Sequence, residues 1–488
     1  MLRHSWRSGA RALGLAAAVA LTLPALHVPA EATAPAAAAT TAPLALWAPA
    51  QVNAYTYRGH AWTDLGLRLI AQGAPMELWS NRPSYDDQIQ TVWRSPGGDV
   101  TLPEGSMKDF SGLSKFLKLE LVPRKGGDTI TMRKAGCLNG WSERVRPEAP
   151  ATSPYPRGCW YNPYSLGSVQ GIQQGWATAL VGQQGPIRLP LGTYDVTASI
   201  TPKYAEVFGM TAAETSRTFK LVVRKESGNQ RHHAPGTGQS PLAQPAPHEP
   251  QQASAGAVPT TQPDLRALPA WGIQVSNNGN YLQFAATVWN AGDSPLVVDG
   301  FRRDGEDEMD AYQYFFDGDG NQTRYQQVGS MHWDARPTHQ HWHFEDFARY
   351  VLLKKDKSEA VTSKKEAFCL ANTDAVDQTV PNAAWNPENT DLSTACGDLS
   401  SLSIREVLAS GWGDTYAQFR AGQSFDLKGL PNGTYYIAVI ANPSHRLVES
   451  STDNNESLRK VVIKGTEGHR TVTVPQVGII DETGLFGM

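Results

Sequence analysis

Apolar and polar residues alternate in short runs along most of the chain, and long amphipathic helical patterns are scarce. Tyr281-Leu282-Gln283-Phe284-Ala285-Ala286-Thr287-Val288 and Tyr435-Tyr436-Ile437-Ala438-Val439-Ile440 are examples, and Gly, Pro, Asn and Asp separate such runs. A period of two places successive side chains on opposite faces of a strand, and turn residues between runs let the chain fold back on itself. With 488 residues and 40% hydrophobic content, the chain can fill two or three cores. The pattern predicts an all-β protein made of two tandem β-sandwich domains.

The division between them is a change of composition. From about Lys225 to Gln262 the sequence has no periodic hydrophobicity and is rich in Pro, Gln and Ala, so it cannot bury enough surface to order itself. Residues 226–262 are therefore expected to be a linker between a first domain at 49–225 and a second at 263–470, with a C-terminal tail at 471–488. Arg3 and Arg7 precede a fourteen-residue Ala- and Leu-rich run from Leu13 to Leu26, the pattern of a secretory signal and too short to span a bilayer. Residues 1–32 are expected to be a signal peptide and 33–48 a flexible leader. No later hydrophobic stretch is long enough for an anchor, so the expectation is a secreted, extracellular protein with no membrane partner. The net charge of −4 is built from well-mixed signs and gives no argument for nucleic acid.

Four cysteines, Cys137, Cys159, Cys369 and Cys396, form two separated pairs without metal-finger spacing, and in an exported chain two structural disulfides are the natural reading. The two halves also read as copies. Met132-Arg133-Lys134-Ala135-Gly136-Cys137-Leu138 parallels Lys364-Lys365-Glu366-Ala367-Phe368-Cys369-Leu370. Each is followed by a second cysteine, a Gly-Trp pair (Gly175-Trp176, Gly411-Trp412) and a Gly-Thr-Tyr strand (Gly192-Thr193-Tyr194, Gly433-Thr434-Tyr435). The common order points to an internal duplication and pairs Cys137 with Cys159 and Cys369 with Cys396.

Only the second copy carries a metal-binding pattern. His339, His341 and His343 lie at i, i+2 and i+4 of a strand-like run and share one face. Three neutral imidazoles leave part of a metal's coordination sphere open, which suits Cu(II) or a catalytic Zn(II). Counting back from the aligned cysteines, the first copy has Met107, Asp109 and Ser111 in their place.

The second half resembles the catalytic domain of the lysyl oxidase family. The resemblance rests on His339-Gln340-His341-Trp342-His343, Phe344-Glu345-Asp346-Phe347, Lys365-Glu366-Ala367-Phe368-Cys369-Leu370, Asp414-Thr415-Tyr416, and Asn442-Pro443 with Glu449-Ser450 and Asn454-Asn455. It implies a copper-dependent amine oxidase, with the three histidines as copper ligands and with Lys365 and Tyr416 as the pair that forms lysine tyrosylquinone. The aligned first-copy residues, Arg133 and Leu180, could not form a quinone. By the same resemblance, a primary amine or a lysine-containing protein would be oxidised by O2 to an aldehyde, with release of hydrogen peroxide and ammonia. A carboxylate would serve as base, and Asp414 or Asp346 is the candidate.

The resemblance further implies a Ca(II) site from Asp264, Leu265 through its backbone, Glu449, Ser451, Asp453, Asn454 and Asn455, all hard oxygen donors. This sequence departs at Ser451, where the family pattern has an acid. The Asp317-Gly318-Asp319-Gly320-Asn321 stretch reads instead as a turn, for lack of a suitably spaced glutamate. Two rivals remain: a non-catalytic extracellular copper-binding or adhesion β-sandwich, and a zinc hydrolase built on the same histidines. The presence of both Lys365 and Tyr416 favours the oxidase.

Overall fold

The predicted alternation is visible residue by residue. In the Gly192–Ile200 strand, Tyr194, Val196, Ala198 and Ile200 are buried and the residues between them face outward. A computed structural model describes residues 43–482 apart from 58–59, 160–161, 182–188, 226–258, 304–305, 337–339, 364, 366, 389 and 421. Among the described residues it is nearly all β, and its helices are the short segments Pro202–Val207 and Ala212–Thr215.

The two halves share a strand order. In the first, one sheet runs Ile130–Gly136, Leu113–Pro123, Gly192–Ile200, Ser216–Lys225, Gln51–Tyr57 and His60–Trp62. In the second, the four strands Glu359–Thr362, Ala348–Leu353, Gly433–Ala441 and Glu456–Thr466 follow the same order, and His469–Thr473 then pairs antiparallel where the first half has Gln51–Tyr57 in parallel. The same tyrosine closes both, with Tyr194 Oη donating to Pro190 O at 2.8 Å and Tyr435 Oη to Pro431 O at 2.7 Å. Such a bond ties a strand to the corner that precedes it.

A second sheet runs Gly167–Ile172, Met76–Asn81, Gln90–Ser95 and Gly98–Thr101 in the first half. Its counterpart runs Ser403–Leu408, Leu296–Arg302, Glu308–Phe316 and Gln322–Asp334, then continues into His341–Glu345 and Ala367–Phe368. The first of these two additional strands carries His341 and His343, and the second begins two residues after Lys365. In the first half the sheet stops at Gly98–Thr101, and Met107 only bridges to Leu113. Both disulfides join the expected partners, Cys137 to Cys159 and Cys369 to Cys396, with Cα separations of 5.9 and 6.0 Å.

The expected flexible leader at 33–48 needs correction at its end. Leu44–Trp47 is a strand paired with Arg68–Ala71, and Leu44 and Leu46 are fully buried, because the alternation of LALW outweighs its Ala- and Pro-rich surroundings. The expected signal peptide lies outside the described residues, as does nearly all of the linker. The C-terminal segment is held in place: Ile480 is buried and Glu482 pairs with Arg459 and accepts a hydrogen bond from the Tyr164 hydroxyl. No helix among the described residues is long and apolar enough to cross a membrane.

Each half has its own core, and a third apolar cluster joins them. It includes Tyr164 from the first half, Trp271, Trp289 and Val376 from the second, and Ile480. Backbone bonds reinforce the seam: Leu166 N–H donates to Val376 O at 2.7 Å and Gln378 N–H to Gly167 O at 3.1 Å. Residues 374–385 of the second half therefore rest against the first.

Candidate active site

The His341–Glu345 strand alternates as its sequence predicts. Trp342 and Phe344 point into the core, and His341 and His343 share the other face. The two imidazoles meet with their Nε2 atoms 2.8 Å apart. Two nitrogens each about 2.0 Å from one metal ion and at right angles to each other would be separated by about 2.8 Å, so the pair fits adjacent coordination positions. His343 is 1% exposed, and burial, together with His341, lowers its basicity to about 3, which keeps the ring neutral as a metal ligand requires. Its Nδ1 lies 3.5 Å from Asp334, itself paired with Arg336. A carboxylate behind a histidine is the usual means of fixing ring orientation at a metal. Among the described residues no three His, Cys, Asp or Glu side chains gather as a metal site, and His339 lies outside those residues.

Lys365 follows on an irregular segment after the Glu359–Thr362 strand. It is 7% exposed, and its Nζ lies 4.2 Å from the centroid of the Tyr416 ring. Burial is the main cause that lowers its amine to about 8, against an opposing pull from Asp414. The backbone around it is fixed by Ser363, whose Oγ accepts from Lys365 N–H at 3.1 Å and donates to Gly422 O at 2.6 Å. Gly422 has φ +85°, and a Cβ there would come 3.1 Å from Lys365 Cβ, so this close approach requires glycine.

Tyr416 ends the Trp412–Tyr416 strand, in a different sheet. Its hydroxyl donates to Cys369 O and accepts from Cys369 N–H, both at 3.0 Å, while the Phe368 ring packs edge-on at 5.1 Å. Burial, followed by Asp414 and Glu406, pushes the phenol well above its ordinary range. The Cys369–Cys396 bridge connects this contact to the histidines, because Cys396 O accepts from Trp342 N–H at 2.9 Å. One covalent link thus braces both parts of the cluster.

Two buried carboxylates complete the site. Asp414, two residues before Tyr416, is held well above ordinary carboxylate values by burial, with Lys365 pulling the other way. Glu406 is likewise raised by burial and accepts from Leu370 N–H at 2.9 Å. Asp346, the other carboxylate expected as a base, is partly exposed on a turn beside Arg446 and Ser444, whereas Asp414 interacts with Lys365. An open cleft of ≈ 480 Å³ reaches Lys365, with His332, Arg336, Gly422, Ser424 and Asp426 among its walls.

The residues expected to hold calcium do come together, but through hydrogen bonds. Glu449 accepts from Leu265 N–H at 2.8 Å and from the amides of Asn442 and Asn455 at 2.6 and 2.8 Å. Asp264 is paired with Arg266 and with Asn454. A cation would have to displace these donors. Asp453 and Ser451 form a turn of their own, Asp453 N–H donating to Ser451 Oγ at 3.3 Å. Asp317 closes the Gly-Asp-Gly-Asn stretch by accepting from the Asp319 and Asn321 amides, as expected of a turn.

Sequence reading missed Glu406, His332, Asp334, Arg336, Ser363 and Gly422. His332 lies opposite His343 in the strand register, with its Nδ1 3.1 Å from Glu345. Its place in a strand that precedes the histidine run was the one available signal.

The all-β second half, with imidazoles, an amine and a phenol gathered beside buried carboxylates, has the parts of an oxidoreductase centre made from side chains. Residues 316–473 match the sequence model of the lysyl oxidase family, and this part of the chain is a lysyl oxidase domain. The match contains the described site residues from His332 to Tyr416. No curated protein matches the chain.

Proposed function

We propose that this protein is a secreted copper-dependent amine oxidase that makes lysine tyrosylquinone from Lys365 and Tyr416. The main support is the 4.2 Å approach of the Lys365 amine to the Tyr416 ring, within the lysyl oxidase domain. His339, His341 and His343 are the proposed copper ligands, and the metal would supply oxidation of Tyr416 by O2.

The chain's own groups then have definite tasks. An amine lowered to about 8 is far more often neutral, and so nucleophilic, near neutral pH than an ordinary lysine. Cys369 holds the phenol by its backbone, with the amine lying over the ring. Asp414 is the proposed acceptor of the α-proton of the substrate, and burial raises its affinity for a proton. The cleft admits a primary amine, free or on a protein lysine. One amine, one O2 and one water yield an aldehyde, ammonia and hydrogen peroxide.

We also read the two halves as copies of one ancestral unit, of which only the second acquired the site. The shared strand order, the two tyrosine corners and the two disulfides support this.

The test compares protein grown with and without copper, alongside Tyr416→Phe. The expected result is a visible chromophore, a phenylhydrazine adduct and amine-dependent peroxide release, all requiring both copper and Tyr416. One bound copper without chromophore or adduct in air would establish the non-catalytic copper-binding reading instead.

A further inference from the structure

The segment between Lys365 and Tyr416 is bonded to the cofactor strand from within the second half, with Thr373 N–H donating to Gly413 O and Val376 and Asp377 N–H to Gly411 O. Asp374–Ala375 pairs with the Trp412–Tyr416 strand through only two residues, Asp374 with Gly413 and Ala375 with Trp412. The first half adds to this hold. Ser165 Oγ donates to Ala375 O at 3.1 Å, Leu166 and Gly167 N–H donate to Val376 O, and Val169 N–H donates to the Gln378 side chain at 3.1 Å.

One first-half side chain enters the polar network beside the site. Asn162 is 2% exposed, and its Nδ2 donates to Thr287 Oγ1 at 3.1 Å and to Asp374 Oδ2 at 3.4 Å. Its Oδ1 is occupied by Tyr164 N–H at 3.0 Å, which fixes the direction of the amide. Thr415, between Asp414 and Tyr416, donates to Asp374 and lies 2.6 Å from Thr287 Oγ1. Thr415 N–H in turn donates to Thr373 Oγ1 at 2.7 Å.

We propose that Asn162 is a positioning residue for the cofactor strand: through Asp374, Thr287 and Thr415 it sets where Asp414 and Tyr416 stand against Lys365. The first half then has a task although it has no metal face. It buttresses the 374–378 segment beside the cofactor strand, whose own backbone register is made with Tyr281–Asn290. The part of this inference that concerns cofactor formation rests on the function proposed above; the part that concerns the strand does not.

The amide's role is directional. Asn162 donates to a carboxylate, so Asn162→Asp sets one buried carboxylate against another, while the double substitution Asn162→Asp, Asp374→Asn restores one donor and one acceptor. The experiment uses the full chain, purified without copper. Amide hydrogen exchange is followed in Gly413–Tyr416 and, as reference, in Gly433–Ala441. Cu(II) is then added in air, and formation of the phenylhydrazine-reactive chromophore is timed.

Asn162→Asp is expected to speed exchange at Thr415 and Tyr416 by roughly tenfold, the order of effect of an unmatched buried polar group, and to leave the reference strand unchanged. Chromophore formation should slow by a similar factor, and the double substitution should bring both to within about threefold of wild type. If Asn162→Asp does not fold, Asn162→Ala adds no charge and should give the same pattern at smaller size. Wild-type exchange in these variants, or equal acceleration in the reference strand without rescue, overturns the proposal. If the exchange pattern appears but even wild type forms no chromophore, the positioning role stands and the oxidase reading fails.

Discussion

Gln170 in the first half and Glu406 in the second have the same structural role. Gln170 Oε1 accepts from Leu138 N–H at 3.3 Å, and Glu406 Oε2 accepts from Leu370 N–H at 2.9 Å, in each case the residue after the first cysteine of the bridge. An amide is thus sufficient to hold this part of the fold, and the second half has a buried acid there nonetheless. The same holds around it. Thr178 occupies the place of Asp414 and Leu180 that of Tyr416, counting from the Gly-Trp pair, and both are buried. Arg133 stands for Lys365, but in a regular strand opposite Lys118. The lesson is that the sandwich does not need these groups: a titratable, polar cluster is an addition to it, and burial of charge is costly unless partnered. Such departures mark functional sites more reliably than the shared features do.

The comparison can be broken most directly at the histidine strand. His343→Ala is expected to abolish binding of one copper, a loss greater than the 10–100-fold typical of removing an outer partner of a metal ligand. Ser111→Ala, at the first-half counterpart, should leave copper stoichiometry unchanged. Copper analysis after dialysis decides between them, and equal losses would show that the halves are not divided as described.

The two bridges offer a sharper contrast. Their sequence separations, 22 and 27 residues, are close, so replacing either cysteine pair by serine should lower stability by a similar amount, roughly 3–3.5 kcal/mol on the loop-entropy estimate. Only the Cys369/Cys396 replacement should also weaken copper binding, because Cys396 accepts from the histidine strand and Cys369 holds Tyr416. Denaturant midpoints paired with copper analysis test this. A matching loss of copper on removal of Cys137–Cys159 would contradict it.

The smallest effect concerns Glu406. Burial raises its carboxyl above the ordinary 4.5, so the folded chain retains a proton that the unfolded chain releases. The unfolded state therefore binds fewer protons above pH 4.5, and stability falls as pH rises through that window. Glu406→Gln adopts the first-half residue and removes this loss, so the fall in denaturant midpoint between pH 4.5 and 8 should be shallower than in wild type. Parallel curves for the two proteins would show that Glu406 carries no such proton.

What the sequence made legible was local or repeated. Period-two alternation identified the strands, and the paired cysteine motifs identified both bridges. His341 and His343 could be placed on one face because a strand fixes that geometry. The meeting of Lys365 with Tyr416 is a different matter: one lies on an irregular segment and the other ends a strand far along the chain, and only the resemblance linked them. Gly422, Asp334 and Asn162 were unreadable for the same reason, since each acts on a residue that becomes a neighbour only through folding. The Leu44–Trp47 strand was obscured by its Ala- and Pro-rich surroundings, although its alternating leucines were present.

The proposed function requires that Lys365 and Tyr416 become joined. The direct measurement is peptide mapping by mass spectrometry of the full chain grown with copper in air, with copper-free protein as control. The account predicts a crosslinked species containing the peptides of Lys365 and Tyr416, absent without copper and absent in Tyr416→Phe. Recovery of both peptides unmodified from copper-loaded, aerated protein would contradict it.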